Sequence, residues 1–177
     1  MDIATFLTKR KVELKTATLA QEIADIIKES LPKSSKNATS NSLAFYCYYE
    51  AVKTRGGVII PYDAAILCGV DPKLTSKLFN SYSEYRTNYR PCDRDYTVRE
   101  LCNYYIDKAI NSYSVSIDKK KFEKFLVSFT DVVNSVGGKP NNVAVALLYV
   151  YNPSVDWSAI TYLSNRSIKM TAKLLDG

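Results

Sequence analysis

The sequence contains no histidine. Without an imidazole, Ser-His-Asp and Cys-His nucleophile systems are excluded, and the commonest general base is missing. The four cysteines, Cys47, Cys68, Cys92 and Cys102, form no C-x-x-C pair. With histidine absent as well, a zinc finger or zinc ribbon is excluded, and no metal is expected. Three of the four fall in apolar helical patterns, where a buried free thiol is the ordinary occupant; a reducing, intracellular compartment follows. The longest apolar run, Val143 to Tyr151, is too short to cross a bilayer. At the N-terminus Ile3, Ala4, Phe6 and Leu7 come before Lys9-Arg10-Lys11, the reverse of the charge order in a signal peptide. Neither secretion nor a membrane partner is expected. Glycine-rich phosphate loops are missing too, since Gly56-Gly57 and Gly137-Gly138 stand at the ends of apolar helical stretches. No cofactor and no enzymatic activity are therefore expected.

What is present is apolar content sufficient for a folded core: 46% hydrophobic against 24% charged residues over 177 positions. A formal charge of +6 favours an anionic partner. Helical periodicity dominates. Leu19, Ile23, Ile26, Ile27 and Leu31 recur at threes and fours and predict an amphipathic helix ending at Pro32, followed by a polar loop over 33–41. Ser42 to about Lys53 is apolar nearly all round, which suits the centre of a bundle. A short helix from Tyr62 to Cys68 follows. Asp71-Pro72 then supplies an N-cap and a first-turn proline for a helix through Leu74, Leu78 and Phe79.

The stretch around Arg90, Pro91, Asp93, Arg94 and Asp95 is poor in apolar residues and reads as a connection. It divides the chain into 1–90, a linker at 91–96, and 97–177. Thr97-Val98-Arg99-Glu100 has the pattern of a capping box, ahead of a helix whose face is Leu101, Cys102, Tyr105, Ile106, Ala109 and Ile110. Asp118 caps a helix with Phe122, Phe125, Leu126, Phe129, Val132, Val133 and Val136 as its expected buried stripe. Val143 to Tyr151 is β-branched enough for a strand, but its alanines and leucines favour helix and no second strand exists to pair with it. Asp156 starts a short helix, and Ser164 caps a last one through Ile168 and Leu174.

Two stretches resemble one another. In both, a nearly all-apolar helix (Ser42 to Tyr49; Asn142 to Tyr149) is followed by a short helix, a tight turn and a capped helix. A duplicated order of this kind points to one structural unit used twice. The order also resembles the last three-fifths of the five-helix cyclin fold, and most closely the two tandem repeats of the archaeal and eukaryotic initiation factor IIB family. Gly69-Val70-Asp71 with Leu74 resembles that family's G-V-S-x-x-T-I signature with aspartate for serine. Ser164-Asn165-Arg166-Ser167-Ile168-Lys169 resembles the second copy with serine for threonine. The likeness spans both repeats; the family's zinc ribbon and the segment that enters the polymerase cleft have no counterpart here. It implies an all-α fold of two cyclin-like five-helix repeats in tandem. Double-stranded promoter DNA, a TATA-binding protein and RNA polymerase are the partners it implies. The nucleus, an archaeal cytoplasm or a viral factory is the implied location.

In that family the last two helices act as a helix-turn-helix, with the final helix in the major groove. Carried over, Arg166 and Lys169 face base edges, while Lys173, Ser167 and Thr171 hold phosphates. Lys169 takes the place of a base-reading arginine; lacking the planar fork, it implies weaker sequence preference. Lys119, Lys120 and Lys121 with Lys124 open a helix and are candidates for tracking phosphates. The arginines near the linker, Arg86, Arg90, Arg94 and Arg99, fall where the family's DNA surface begins. Each of these groups is also what an ordinary solvated face presents, and both readings stay open. Tyr46, Tyr48, Tyr49, Tyr104, Tyr105, Tyr149 and Tyr151 suggest base stacking, but their helices favour core positions, as does the setting of Trp157. The competing function is a cyclin-fold adaptor, or a kinase-regulating cyclin, without DNA binding; Lys28 and Glu50 are of the residue types such a cyclin uses.

Overall fold

A computed structural model describes residues 2–31, 40–84 and 87–176, and among them every regular element is helical. Most of the expected loop at 33–41, and Arg86, lie outside the described residues. The chain divides into two compact units, Met1–Arg94 and Asp95–Gly177.

In the first unit, α1 (Ile3–Thr8), α2 (Leu14–Ser30), α4 (Pro61–Leu67) and α5 (Thr75–Glu84) all pack on α3 (Asn41–Thr54). α3 is central because its sequence leaves it almost no polar side: Leu43 through Tyr48 and Ala51 are all buried. Its heaviest contact is with α2. There the buried face differs from the expected one. Ile23, Ile27 and Leu31 are buried, but Ile26 is exposed, and Ala17, Ala20 and Ala24 complete the stripe. Side chains that small let two helix backbones approach closely, and counting only large aliphatics misplaces the face. Arg55, at the C-cap of α3, ties the same pair from outside by donating to Glu13 Oε2 (2.9 Å) and Thr16 Oγ1 (2.7 Å). Gly56 and Gly69, at φ +82° and +70°, turn the chain out of α3 and α4 through left-handed backbone that a side chain would strain. Asp71 caps a 3₁₀ turn, Pro72–Leu74, that runs directly into α5. Rings of Phe45, Tyr46 and Tyr49 on α3 meet Phe79 and Tyr82 on α5 at centroid distances of 4.5–6.0 Å.

In the second unit, α6 (Val98–Tyr113), α7 (Lys119–Ser128), α10 (Trp157–Thr161) and α11 (Asn165–Leu175) surround α9 (Pro140–Tyr151). α9 is helix and not strand, with Val143 through Leu148 buried without interruption. α6 opens on the expected capping box: Thr97 Oγ1 accepts from Glu100 N, and Glu100 Oε1 accepts from Thr97 N. The stripe expected from Phe122 to Val136 is interrupted. Helix α7 ends at Ser128 and α8 (Thr130–Ser135) restarts after Phe129, and of the seven expected positions only Phe122 and Leu126 are buried. The break lets Phe125 turn to both Phe129 and Tyr151, at ring distances of 4.7 and 5.1 Å. Trp157 is 1% exposed and its indole N–H donates to Asn152 O, so it is a packing residue that closes the turn after α9.

Candidate nucleic-acid interface

α10 and α11 form a helix, a tight turn and a second helix. α10 starts at Asp156, whose carboxylate accepts from Ala159 N, and ends at Tyr162 in left-handed backbone (φ +64°, ψ 6°). A tyrosine there costs roughly 1 kcal/mol or more and persists only when its surroundings impose it. Lys108 of α6 imposes it. Its ammonium donates to Ile160 O (2.6 Å) and Tyr162 Oη (3.1 Å) and lies 4.2 Å from the centroid of the Tyr162 ring. A cation at a helix C-terminus also meets the negative end of the helix dipole. The reversal therefore falls at Tyr162–Leu163, and Ser164 is the N-cap of α11, accepting from Ser167 N at 3.1 Å.

Three side chains fix which way α11 faces. Ile168, Ala172 and Leu175 are buried, and α9 is the main partner of the helix. The expected Leu174 points outward instead. Opposite the buried side, Arg166, Ser167, Lys169 and Lys173 are exposed and Thr171 is half-buried at the margin. From Asn165 to Leu175 the helix carries no acidic residue. One helix thus brings Arg166, Lys169 and Lys173 together as an acid-free basic row.

The other candidates are placed differently. Lys120, Lys121 and Lys124 are exposed on α7, whereas Lys119 is ion-paired with Asp107. Asp118 caps that helix, accepting from Lys120 N and Lys121 N (3.0 and 3.2 Å). Three lysines at the positive end of a helix repel its dipole, by about 0.3–1 kcal/mol each when unscreened, and a bound anion would relieve them. Arg90 is exposed. Arg99 pairs with Glu123 at 2.7 Å. Arg94 has structural work: its guanidinium donates to the carbonyls of Lys53 and Gly57, closing the C-terminal end of α3.

Arg94 belongs to a latch that sequence reasoning missed. Glu50 is buried on α3 (4% exposed), and its Oε1 accepts from Tyr89 Oη at 2.8 Å and from Cys92 N at 2.9 Å. Lys53 adds a donation to Cys92 O at 3.4 Å. Tyr89, Cys92 and Arg94 are thus bonded within the first unit, so that of the linker expected at 91–96 the part up to Arg94 belongs to that unit. Glu50 is spent on this contact and does not sit on a free surface for a kinase. Burial, with the Glu50 carboxylate close by, pushes the Tyr46 and Tyr89 phenols well above their ordinary value. Tyr46, Tyr48 and Tyr105 are buried and serve the core, and Tyr49, Tyr104, Tyr149 and Tyr151 are half-buried.

Also missed were Lys73 and Lys77, exposed on the 3₁₀ turn and α5 of the first unit. They follow the Asp71 cap much as Arg166 and Lys169 follow Ser164, a signal available in the duplicated order. Among the described residues no group of acidic or cysteine side chains is placed to hold a metal ion, and no helix is long and apolar enough to cross a membrane. Buried Cys68 and Cys102 have thiols pushed up to about 12 by desolvation, so they are protonated and inert. No family model, curated protein or solved structure matches this chain.

Proposed function

We propose that this protein is a DNA-binding transcription factor resembling the core of initiation factor IIB. Each unit would be a cyclin-like repeat, and α11 would be the element that enters the major groove. The observation that carries this reading is the acid-free row of Arg166, Lys169 and Lys173 on the outward face of α11, directly after a tight turn and a serine cap. A helix held through its inner side, with its first turns exposed, is what groove entry requires. The exposed lysines at the start of α7 supply further positive charge for phosphates. In this reading a TATA-binding protein and RNA polymerase are partners, and Arg90, exposed on the first unit, is a phosphate contact of that unit. Arg94 takes no part, its guanidinium being engaged by α3.

The test is titration of a fluorescent duplex carrying a TATA-like element, at two salt concentrations, with and without a TATA-binding protein. The expected complex weakens with salt and tightens with that partner, and Arg166→Ala/Lys169→Ala weakens it about tenfold or more. Absence of a complex under all these conditions refutes DNA binding and leaves the adaptor or kinase-regulating reading. Co-purification of a kinase would then distinguish those two.

A further inference from the structure

The outward face of α11 is not basic alone. Met170 and Leu174 are 59% and 58% exposed, the most exposed large apolar side chains of the second unit. Burial of Ile168, Ala172 and Leu175 fixes the helix's inner side. At 3.6 residues per turn, the ridge farthest from that side runs through Arg166, Met170 and Lys173. Lys169 stands on one flank of it and Leu174 and Ser167 on the other. Met170 therefore occupies the middle of the ridge, one turn beyond Arg166 and framed by cations. An unbranched thioether at such a place costs hydration and is not needed by the core.

If α11 lies in a major groove, its ridge faces the floor and its flanks face the phosphate walls. On that floor the one apolar group a base pair presents is the thymine C5-methyl. Lys169 on one flank and Ser167 on the other match the phosphate walls, while on the ridge Met170, between Arg166 and Lys173 and with Leu174 at its edge, matches the methyls of the floor. We infer that α11 reads thymine methyl groups through Met170, with Leu174 beside it, so that the preferred ligand is duplex DNA with thymines in the contacted major groove. This rests on the DNA-binding reading above and adds to it a base-recognising contact that carries no charge.

The experiment compares two duplexes of one sequence, one with thymidine and one with deoxyuridine throughout, which differ only by the C5-methyl. With the full chain, binding should weaken about fourfold for each methyl engaged, the value of burying one such group, and the salt slope should not change. Met170→Ala should weaken binding to the thymidine duplex by a similar factor and leave the deoxyuridine duplex unaffected; helical content and thermal melting confirm that this exposed substitution keeps the fold. Equal affinity for the two duplexes, with Arg166→Ala/Lys169→Ala still weakening both, overturns the methyl contact and leaves DNA binding standing. Loss of the same factor on both duplexes in Met170→Ala likewise overturns it. Failure to bind either duplex overturns both readings.

Discussion

Glu50→Ala should destabilise the first unit by about 2–3 kcal/mol. The side chain accepts two hydrogen bonds through one oxygen, from Tyr89 Oη at 2.8 Å and Cys92 N at 2.9 Å. Hydrogen bonds to a charged acceptor contribute about 1.5–3 kcal/mol each, which places the gross loss at roughly 3–6 kcal/mol. Two effects offset part of it. Removing the carboxylate relieves its own desolvation, and the donors left behind are on half-buried residues that water can reach. Glu50→Gln keeps an acceptor oxygen of the same shape and should cost only about 1 kcal/mol, and Tyr89→Phe, which removes one donor, a similar amount. The double variant Glu50→Ala/Tyr89→Phe should fall short of additivity, because the two single variants remove one shared bond. Urea unfolding followed by far-UV circular dichroism gives these differences, and hydrogen exchange at the Cys92 amide gives the local one. If Glu50→Ala costs under about 0.5 kcal/mol and the Cys92 amide stays protected, then Glu50 does not hold the 89–94 segment and the reasoning fails.

Thr97→Ala removes the side-chain half of the capping box on α6 and should cost about 1 kcal/mol in the same urea assay; Thr97→Ser should restore most of it. Stability should also decline in alkali. Desolvation raises the Cys68 and Cys102 thiols from 9.0 to about 12, so the unfolded chain loses these protons first; their contribution is complete below pH 9.0 and is lost as pH climbs towards 12. The Tyr46 and Tyr89 phenols, raised from 10.0 by burial, add the same sign of loss above pH 10.0 in the first unit. Urea midpoints taken at rising pH check this, and a midpoint that is flat or rising across that range would refute it.

Features that depend on neighbours in the chain were readable from sequence. The all-helical class, the two central helices and the caps at Asp71, Thr97, Asp118, Asp156 and Ser164 each follow from residues within a few positions of one another. What escaped depends on distant partners or on residues whose type misleads. A glutamate on a helix ordinarily faces water, and nothing local to Glu50 shows that Tyr89 and Cys92, some forty positions on, will bury it. Arg94 had the charge of a phosphate contact, and only the fold reveals that two backbone carbonyls engage it. The run from Phe122 to Val136 keeps helical spacing throughout, so periodicity alone gives no sign of the break at Phe129. On α2, Ala17, Ala20 and Ala24 carry little hydrophobic weight yet define the buried face. The basic row of α11 was legible as residue types at helical spacing; its outward direction, and the company of Met170, were not.

That direction has a physical origin in the second unit. In each unit a central helix is followed by a short helix and then a last helix, but the weight of the packing differs. α3 rests most heavily on α2 through the alanine stripe, whereas α9 rests most heavily on α11 and α6. A last helix held mainly by the central helix, and less by the short helix before it, takes its rotation from Ile168, Ala172 and Leu175 and not from the turn. The turn then sets where α11 begins and the core sets what it shows. Two independent constraints therefore meet at Arg166: Ser164 fixes its position along the helix, and Ile168 fixes its side. In the first unit α5 makes ring contacts with α3, yet its one lysine, Lys77, is exposed together with Glu84, so its outward face has mixed sign. The asymmetry in packing is thus matched by an asymmetry in charge, and it is the unit with the firmly seated last helix that presents a basic row with no acidic residue on the helix.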